Sequence, residues 1–243
     1  SVCENTYDPV NWNALDFTYA EARPDNLIRR INDKNIMWAF GERSIEAYVN
    51  TGNIDFPFEP IRQAMSHYGI EAFASLAPVD GRLFWLGNAD DQGGRVVFGI
   101  AGSADPKKVS DHRLDQYMAS LDKTEIAAAY AYGVMWQGHP WYVLTFPYSP
   151  ESHGRTFVYD VSVGIWFEWA SKSTHITGLG KFRGEVHIYF NGDNLVADNQ
   201  GNLYKLKEGV FTDNGDVIIR ERIMTVLDGG GKFLRFPEIQ LDV

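Results

Sequence analysis

The stretch Phe157-Val158-Tyr159-Asp160-Val161-Ser162-Val163-Gly164-Ile165-Trp166-Phe167-Glu168-Trp169 decides the fold. Phe157, Val158, Tyr159 and Val161 are β-branched or aromatic, which suits a pleated, half-buried surface. Gly164 supplies the positive φ that a hairpin turn asks for. Ile165, Trp166, Phe167 and Trp169 then start a second strand. The same unit recurs in looser form along the chain: an apolar strand, a turn of Gly, Asp or Asn, and a second apolar strand. That recurrence predicts an array of small antiparallel sheets.

Outward from this hairpin, the spacing predicts further pairs. Ile36 to Phe40 is apolar throughout, Gly41-Glu42-Arg43-Ser44 turns, and Ile45 to Val49 returns with the alternation of a strand buried on one side. Leu83 to Gly87 pairs with Val96 to Ile100 across the polar loop Asn88 to Gly94. Strands follow at Ile126 to Met135 and Trp141 to Phe146. Val186 to Phe190 then pairs with Leu195 to Ala197, and Leu203 to Leu206 comes after the turn Asp198-Asn199-Gln200-Gly201. Ser110 is the N-cap candidate of one short helix, with Leu114, Tyr117, Met118 and Leu121 at helical spacing. The opening, Tyr7 to Trp12, reads as a loop that returns to the core, because Pro9 pushes Asp8 out of helical space.

Frequent strand pairs with turn signals between them fit a sandwich, a barrel or a propeller. The units starting near Ile36, Leu83, Trp141 and Val186 lie roughly one propeller repeat of about 40–45 residues apart, which predicts about five blades. The expected fold is therefore an all-β, β-propeller-like array of antiparallel sheets with one short helix, and a β-sandwich is the alternative. Residues 1–243 read as one domain, with Gly229-Gly230-Gly231 as its only boundary signal.

Of the 243 residues, 44% are hydrophobic and 14% aromatic, the composition of a chain with a core. The net charge is -10, and the Lys and Arg residues are scattered. Direct nucleic-acid binding usually needs a basic surface to neutralise phosphates, so this balance argues against it. An acidic surface could still line a channel through which DNA slides without sticking. Cys3 is the single cysteine, so no intrachain disulfide forms within this sequence. The longest apolar run, Ile126 to Trp136, is far short of the roughly 20 residues of a membrane helix. The chain opens on Ser1 with no signal peptide, and reads as a processed product or a fragment of a longer protein.

No catalytic, cofactor or metal set emerges. The six histidines lack the His-Glu-x-x-His spacing of a zinc site. Glu185 and His187 share one strand face and read as a half-exposed ion pair. His139, in the turn Gln137 to Pro140, reads as a local hydrogen-bonding residue. The Gly180-Lys181 and Gly231-Lys232 pairs lack the upstream Gly of a phosphate loop. Asp198 to Gly201 and Asp213 to Asp216 are oxygen-rich but lack EF-hand spacing, and such clusters are what turns are made of. The enzymatic competitor is a glycoside-hydrolysing or carbohydrate-binding propeller, for which the 32 acidic residues offer carboxylates. Trp38, Trp85, Trp141 and Trp166 fall in predicted strands and read as core. Trp136, in a turn, is freer. Phe56 and Phe58 lie on the excursion Asp55-Phe56-Pro57-Phe58-Glu59-Pro60, whose two prolines exclude a central strand. Phe56, Phe58 and Trp136 are the interaction candidates.

An ordered set of motifs resembles a known family. It comprises Tyr7-Asp8-Pro9, Trp12, Leu15-Asp16-Phe17, Pro24-Asp25-Asn26, Phe40-Gly41, Ser44-Ile45-Glu46, Thr51-Gly52 and Asp55-Phe56-Pro57-Phe58. It continues with Leu83 to Gly87, Gly138 to Pro147, Tyr159-Asp160-Val161, Gly164, Trp166, Glu168 and Thr212 to Gly215. Together they resemble the packaged-DNA stabilisation proteins, the tail accessory or hub factors, of short-tailed bacteriophages. The resemblance implies a non-enzymatic virion protein with a propeller body. It would act in head completion, adding below the portal and its adaptor ring after packaging, in the host cytoplasm during assembly. There it would help retain DNA and form part of the platform for the tail needle and tailspikes, together with its own copies in a ring. Two departures stand out. The family's members are longer, so blades and ring closure are in question, and Asn88 to Pro106 is longer and more polar than the pattern.

Overall fold

A computed structural model describes residues 3–5, 8–12, 25–53, 57–89, 94–101, 105–150, 152–173 and 175–221. The chain divides into two units, Ser1–Gly209 and Val210–Val243.

The first unit opens with β1 (Cys3–Asn5) and β2 (Asp8–Trp12), an antiparallel ribbon. The expected opening loop is thus a pair of short strands. Pro9 fits there because a two-stranded ribbon has free edges, where a missing N–H costs no ladder bond.

The first sheet is the meander β3 (Leu27–Asp33), β4 (Ile36–Gly41), β5 (Ile45–Asn50) and β6 (Phe58–Pro60). The excursion expected around Phe56 and Phe58 closes as this edge strand, with Phe58 opposite Asn50, while Phe56 lies outside the described residues. The return strand is not buried on one side only: Ile45, Glu46, Ala47 and Tyr48 are all buried. Glu46 is 2% exposed and accepts the Tyr48 hydroxyl at 2.5 Å, so a polar pair tolerates the second covered face.

The second sheet is β7 (Ala77–Val79), β8 (Arg82–Ala89), β9 (Gly94–Ala101) and β10 (Lys107–Lys108). Two helices follow where one was expected: α1 (His112–Ser120) and α2 (Lys123–Ala127). Asp111, not Ser110, caps α1 by accepting the Leu114 amide at 2.8 Å. Ser110 is diverted to the sheet, where its hydroxyl accepts the Val97 amide. Asp122 and Glu125 form a capping box on α2, which takes Ile126 and Ala127 out of the predicted strand.

The third sheet is β11 (Tyr130–Trp136), β12 (His139–Phe146), β13 (Arg155–Asp160), β14 (Ile165–Lys172) and β15 (Leu179–Lys181). It contains the predicted hairpin, with Phe157 opposite Glu168 and Asp160 opposite Ile165, closed through Gly164 at φ 75°. The fourth sheet is β16 (Val186–Phe190), β17 (Asp193–Ala197) and β18 (Leu203–Lys205).

Strand alternation sends successive side chains of a strand to opposite faces, and here both faces are used. Leu83 and Trp85 of β8 pack with Trp38, Phe40 and Ile45 of the first sheet. Their neighbours Phe84 and Leu86 pack the other way, with Tyr142, Leu144 and Phe157 of the third sheet and Leu114 and Met118 of α1. On β12, Val143 turns away from that cluster, into one with Tyr132, Val134 and Val158. The second sheet therefore packs face to face with the first and the third, and the third sheet meets the fourth through Tyr132 stacked on His187. That is the arrangement of a propeller, not the two-layer sandwich kept as the alternative.

The second unit is described over Val210–Glu221. It holds β19 (Thr212–Asp213) and β20 (Asp216–Val217), paired antiparallel. The described residues thus make four sheets of three or more strands and two short ribbons, against about five expected blades. The Gly229 to Gly231 boundary signal lies outside them.

Candidate interaction surface

The rim of the third sheet concentrates both exposed apolar groups and fixed polar ones. Gln137 and Gly138 form a two-residue turn at φ 50° and 82°, which places Trp136 opposite His139. Trp136 is therefore the last residue of β11 and half-buried, where a turn position was expected. Its ring lies 6.4 Å from that of Trp141, and Trp141 meets Phe167 and Trp169 edge-on at 5.3 and 5.4 Å. Met135, Val163 and Ile165 are more than half exposed at the same end of the sheet.

Asp160 ties this rim together. One carboxylate oxygen accepts the Trp141 indole N–H at 3.1 Å and faces His139 Nδ1 at 2.7 Å. The other accepts the Ser162 amide at 2.9 Å, the Ser162 hydroxyl at 2.8 Å and the Val163 amide at 3.3 Å. Burial pushes the carboxyl up, but the Ser162 hydroxyl, the Trp141 indole, the Ser162 amide and His139 outweigh it and hold it at about 2. An ionised Asp160 can only accept at this contact, so the Nδ1–H of His139 donates to it. His139 thus bonds across strands and not locally. The Ser162 hydroxyl reaches that same Nδ1 at 3.3 Å. A proton relay needs the two imidazole nitrogens to serve different partners, so this trio is not one.

Asp198 repeats the device in the fourth sheet. Its carboxylate accepts from the Gln200 and Asn202 amides, the Asn202 side chain and the Tyr204 hydroxyl at 2.8–2.9 Å. The Asn202 side-chain bond, ahead of the backbone and Tyr204 bonds, holds this carboxyl below its ordinary range. Both Asp carboxylates are occupied by amides of their own turns and by side chains of neighbouring strands. Among the described residues, no three or more His, Cys, Asp or Glu side chains converge as a metal site would.

Glu185 and His187 do not form the expected ion pair. Glu185 binds Lys181 at 2.8 Å, while His187 reaches Asn194 at 2.9 Å and stacks on Tyr132. Phe58 and Trp136 belong to the first and third sheets. Met135, Val163 and Ile165 were missed in the sequence. Their only signal there was apolar residues flanking turn glycines, which ordinarily marks strand ends. Between the first and second sheets lies a cleft of about 1010 Å³ whose walls include Glu42, His67, Tyr68, Glu71, Asp105 and Lys123. Its Glu71 is held by Arg95 at 3.1 Å, and Arg95 also donates to the Leu121 carbonyl of the helical segment.

Antiparallel meanders stacked face on face define a β-propeller. The chain belongs to the family described as bacteriophage P22 Gp10, beta-propeller (Phage_stabilise), whose model matches residues 1–210. No curated protein matches it. It is a structural protein of the phage tail and so a virion protein. Among the described residues, no helix is long and apolar enough to cross a membrane.

Proposed function

We propose that this protein is a tail-hub component that attaches below the portal and its adaptor ring and helps retain packaged DNA. The family match across residues 1–210 carries this reading. The charge of -10 supports it from a second direction: an acidic wall repels DNA phosphates, so a hub of this composition lets DNA pass without holding it. The partners are the portal and adaptor ring, the tail needle, the tailspikes and further copies of the chain in a ring. The role is structural and non-enzymatic, and assembly takes place in the host cytoplasm.

Contacts of this kind draw affinity from apolar and aromatic anchors with water-excluding neighbours. Met135, Trp136, Val163 and Ile165, held around Asp160, offer such a surface on the third sheet. Phe58, on the first sheet, is a second candidate, together with Phe56, its near neighbour in the sequence. The test is complementation of packaged particles that lack this protein. Added protein should raise the fraction of DNA retained and protected from nuclease. Equal loss of DNA with and without it contradicts the retention role.

A further inference from the structure

The cleft between the first and second sheets has a wall fastened on both sides. Residues 66–71 cross from one sheet to the other. On the first sheet, Ser66 exchanges two backbone hydrogen bonds with Ile45 at 3.0 Å, and the Ile70 amide donates to the Gly41 carbonyl at 2.9 Å. On the second, the Glu71 amide donates to the Leu86 carbonyl at 3.0 Å, and the Trp85 indole donates to the Gly69 carbonyl at 3.2 Å. This strap fixes His67 and Tyr68 in the wall, where the Tyr68 ring stacks on Phe98 at 4.7 Å. Arg95 holds Glu71 and donates to the Met118 and Leu121 carbonyls, which fastens the helical segment carrying Lys123 and Ile126 to the same wall. A cleft held in this way is formed before any ligand arrives, which lowers the cost of binding one.

Its chemistry narrows the class of ligand. Ile28, Ile70, Ala89 and Ile126 supply apolar surface, and around them stand the carboxylates Glu42, Glu71 and Asp105 and the cations Arg43 and Lys123. Neither sign dominates, and Glu71 is already answered by Arg95, so the cleft does not select a strongly charged ligand. The exposed side chains of Arg43, His67, Asp105 and Lys123 make no hydrogen bond or ion pair with another described residue. Nor does the side-chain amide of half-buried Asn88, whose Oδ1 is buried and unpaired. Donors and acceptors set beside an aromatic ring and apolar surface suit a molecule whose O–H groups both donate and accept and whose C–H faces are apolar. The volume of about 1010 Å³ lies at the top of the usual range of ligand clefts, which leaves room for more than one sugar ring. An extended peptide fits less well, because the edge of β5 that could take an added strand is already paired with Ile61 and Ser66.

We propose that this cleft binds a short neutral glycan. Tyr68 and the apolar residues take the C–H faces of the sugar rings, and Arg43, Asn88, Asp105 and Lys123 bond the hydroxyls. This is binding without cleavage, and it goes beyond the tail-hub role and does not depend on it.

The intact chain, probed on an array of neutral oligosaccharides with sulfated oligosaccharides and a peptide array beside it, tests this. Titration calorimetry then compares the best neutral glycan on the parent protein and on Asp105→Ala combined with Lys123→Ala. At least one neutral oligosaccharide should bind. The double variant should weaken it at least about tenfold, because two hydroxyl partners are lost. Its melting temperature should match that of the parent, because both positions are exposed. The proposal is overturned if no neutral oligosaccharide binds, if the variant binds as tightly as the parent, or if sulfated glycans or peptides bind in preference. Should the double variant fail to fold, Arg43→Ala takes its place with the same expected weakening and the same contrary result.

Discussion

The indole N–H of Trp141 donates to the Asp160 carboxylate at 3.1 Å, from β12 to the adjacent β13. That bond joins the aromatic row of the third sheet to the turn that closes its central hairpin. Asp160→Ala would strand the indole, two amides and the Ser162 hydroxyl. It should cost about 2–3 kcal/mol, read from urea unfolding at neutral pH.

The same carboxylate fixes part of the acid limit. Its folded value of about 2 lies below the ordinary 3.8, so the folded state favours the ionised form. Its contribution is therefore complete above the ordinary value and disappears as pH falls through about 2. Stability of the parent protein should drop across that window. Asp160→Ala should show a shallower drop there, measured as urea midpoint against pH.

Gly69 sits where three backbones meet. A Cβ there would lie 2.2 Å from the Glu42 carbonyl oxygen, and one on Gly87 would lie 2.2 Å from the Gly69 oxygen. The Gly69 oxygen also accepts the Trp85 indole, and the next amide, that of Ile70, donates to Gly41. Gly69→Ala should destabilise by about 3 kcal/mol or more, since backbone and not a flexible side chain must move. Thermal melting checks this.

Met118 is fully buried where α1 covers the second and third sheets. Met118→Ala should cost about 2–4 kcal/mol in the same assay, through lost burial and the cavity left behind. The neighbouring exposed position Ala119 should tolerate Ala119→Ser with a change below about 0.5 kcal/mol.

Which parts of this were legible in the sequence follows from the range of the forces involved. The Phe157 to Trp169 hairpin could be read because its β-branched run and Gly164 act locally, and its register is set by the turn. α2 could not, because Ile126 and Ala127 look like the start of an apolar strand until the Asp122–Glu125 capping box is weighed. Ser110 looked like the cap of α1, yet tertiary structure gave its hydroxyl to Val97 and the cap to Asp111. Glu46 looked solvent-facing in an alternating strand. Only the packing of sheet against sheet, partnered through Tyr48, shows that both faces are covered. At the rim, Trp136 stood out as an aromatic beside a turn. The role of Asp160 in binding Trp141 and His139 together depends on strand pairing across about twenty residues, which no local pattern encodes.

The two candidate surfaces separate by assay. Trp136→Ala, and Phe56→Ala combined with Phe58→Ala, should each weaken tail assembly more than they lower the melting temperature. Binding anchors lose affinity when truncated, whereas half-buried positions such as Trp136 and Phe58 lose modest stability. Equal loss of both properties assigns those residues to folding.

The most direct measurement is electron microscopy of the purified protein, in its longest natural form, mixed with portal rings carrying their adaptor. The account predicts added density below the ring in symmetric copies. Well-formed rings without added density, bare and adaptor-loaded alike, would contradict it.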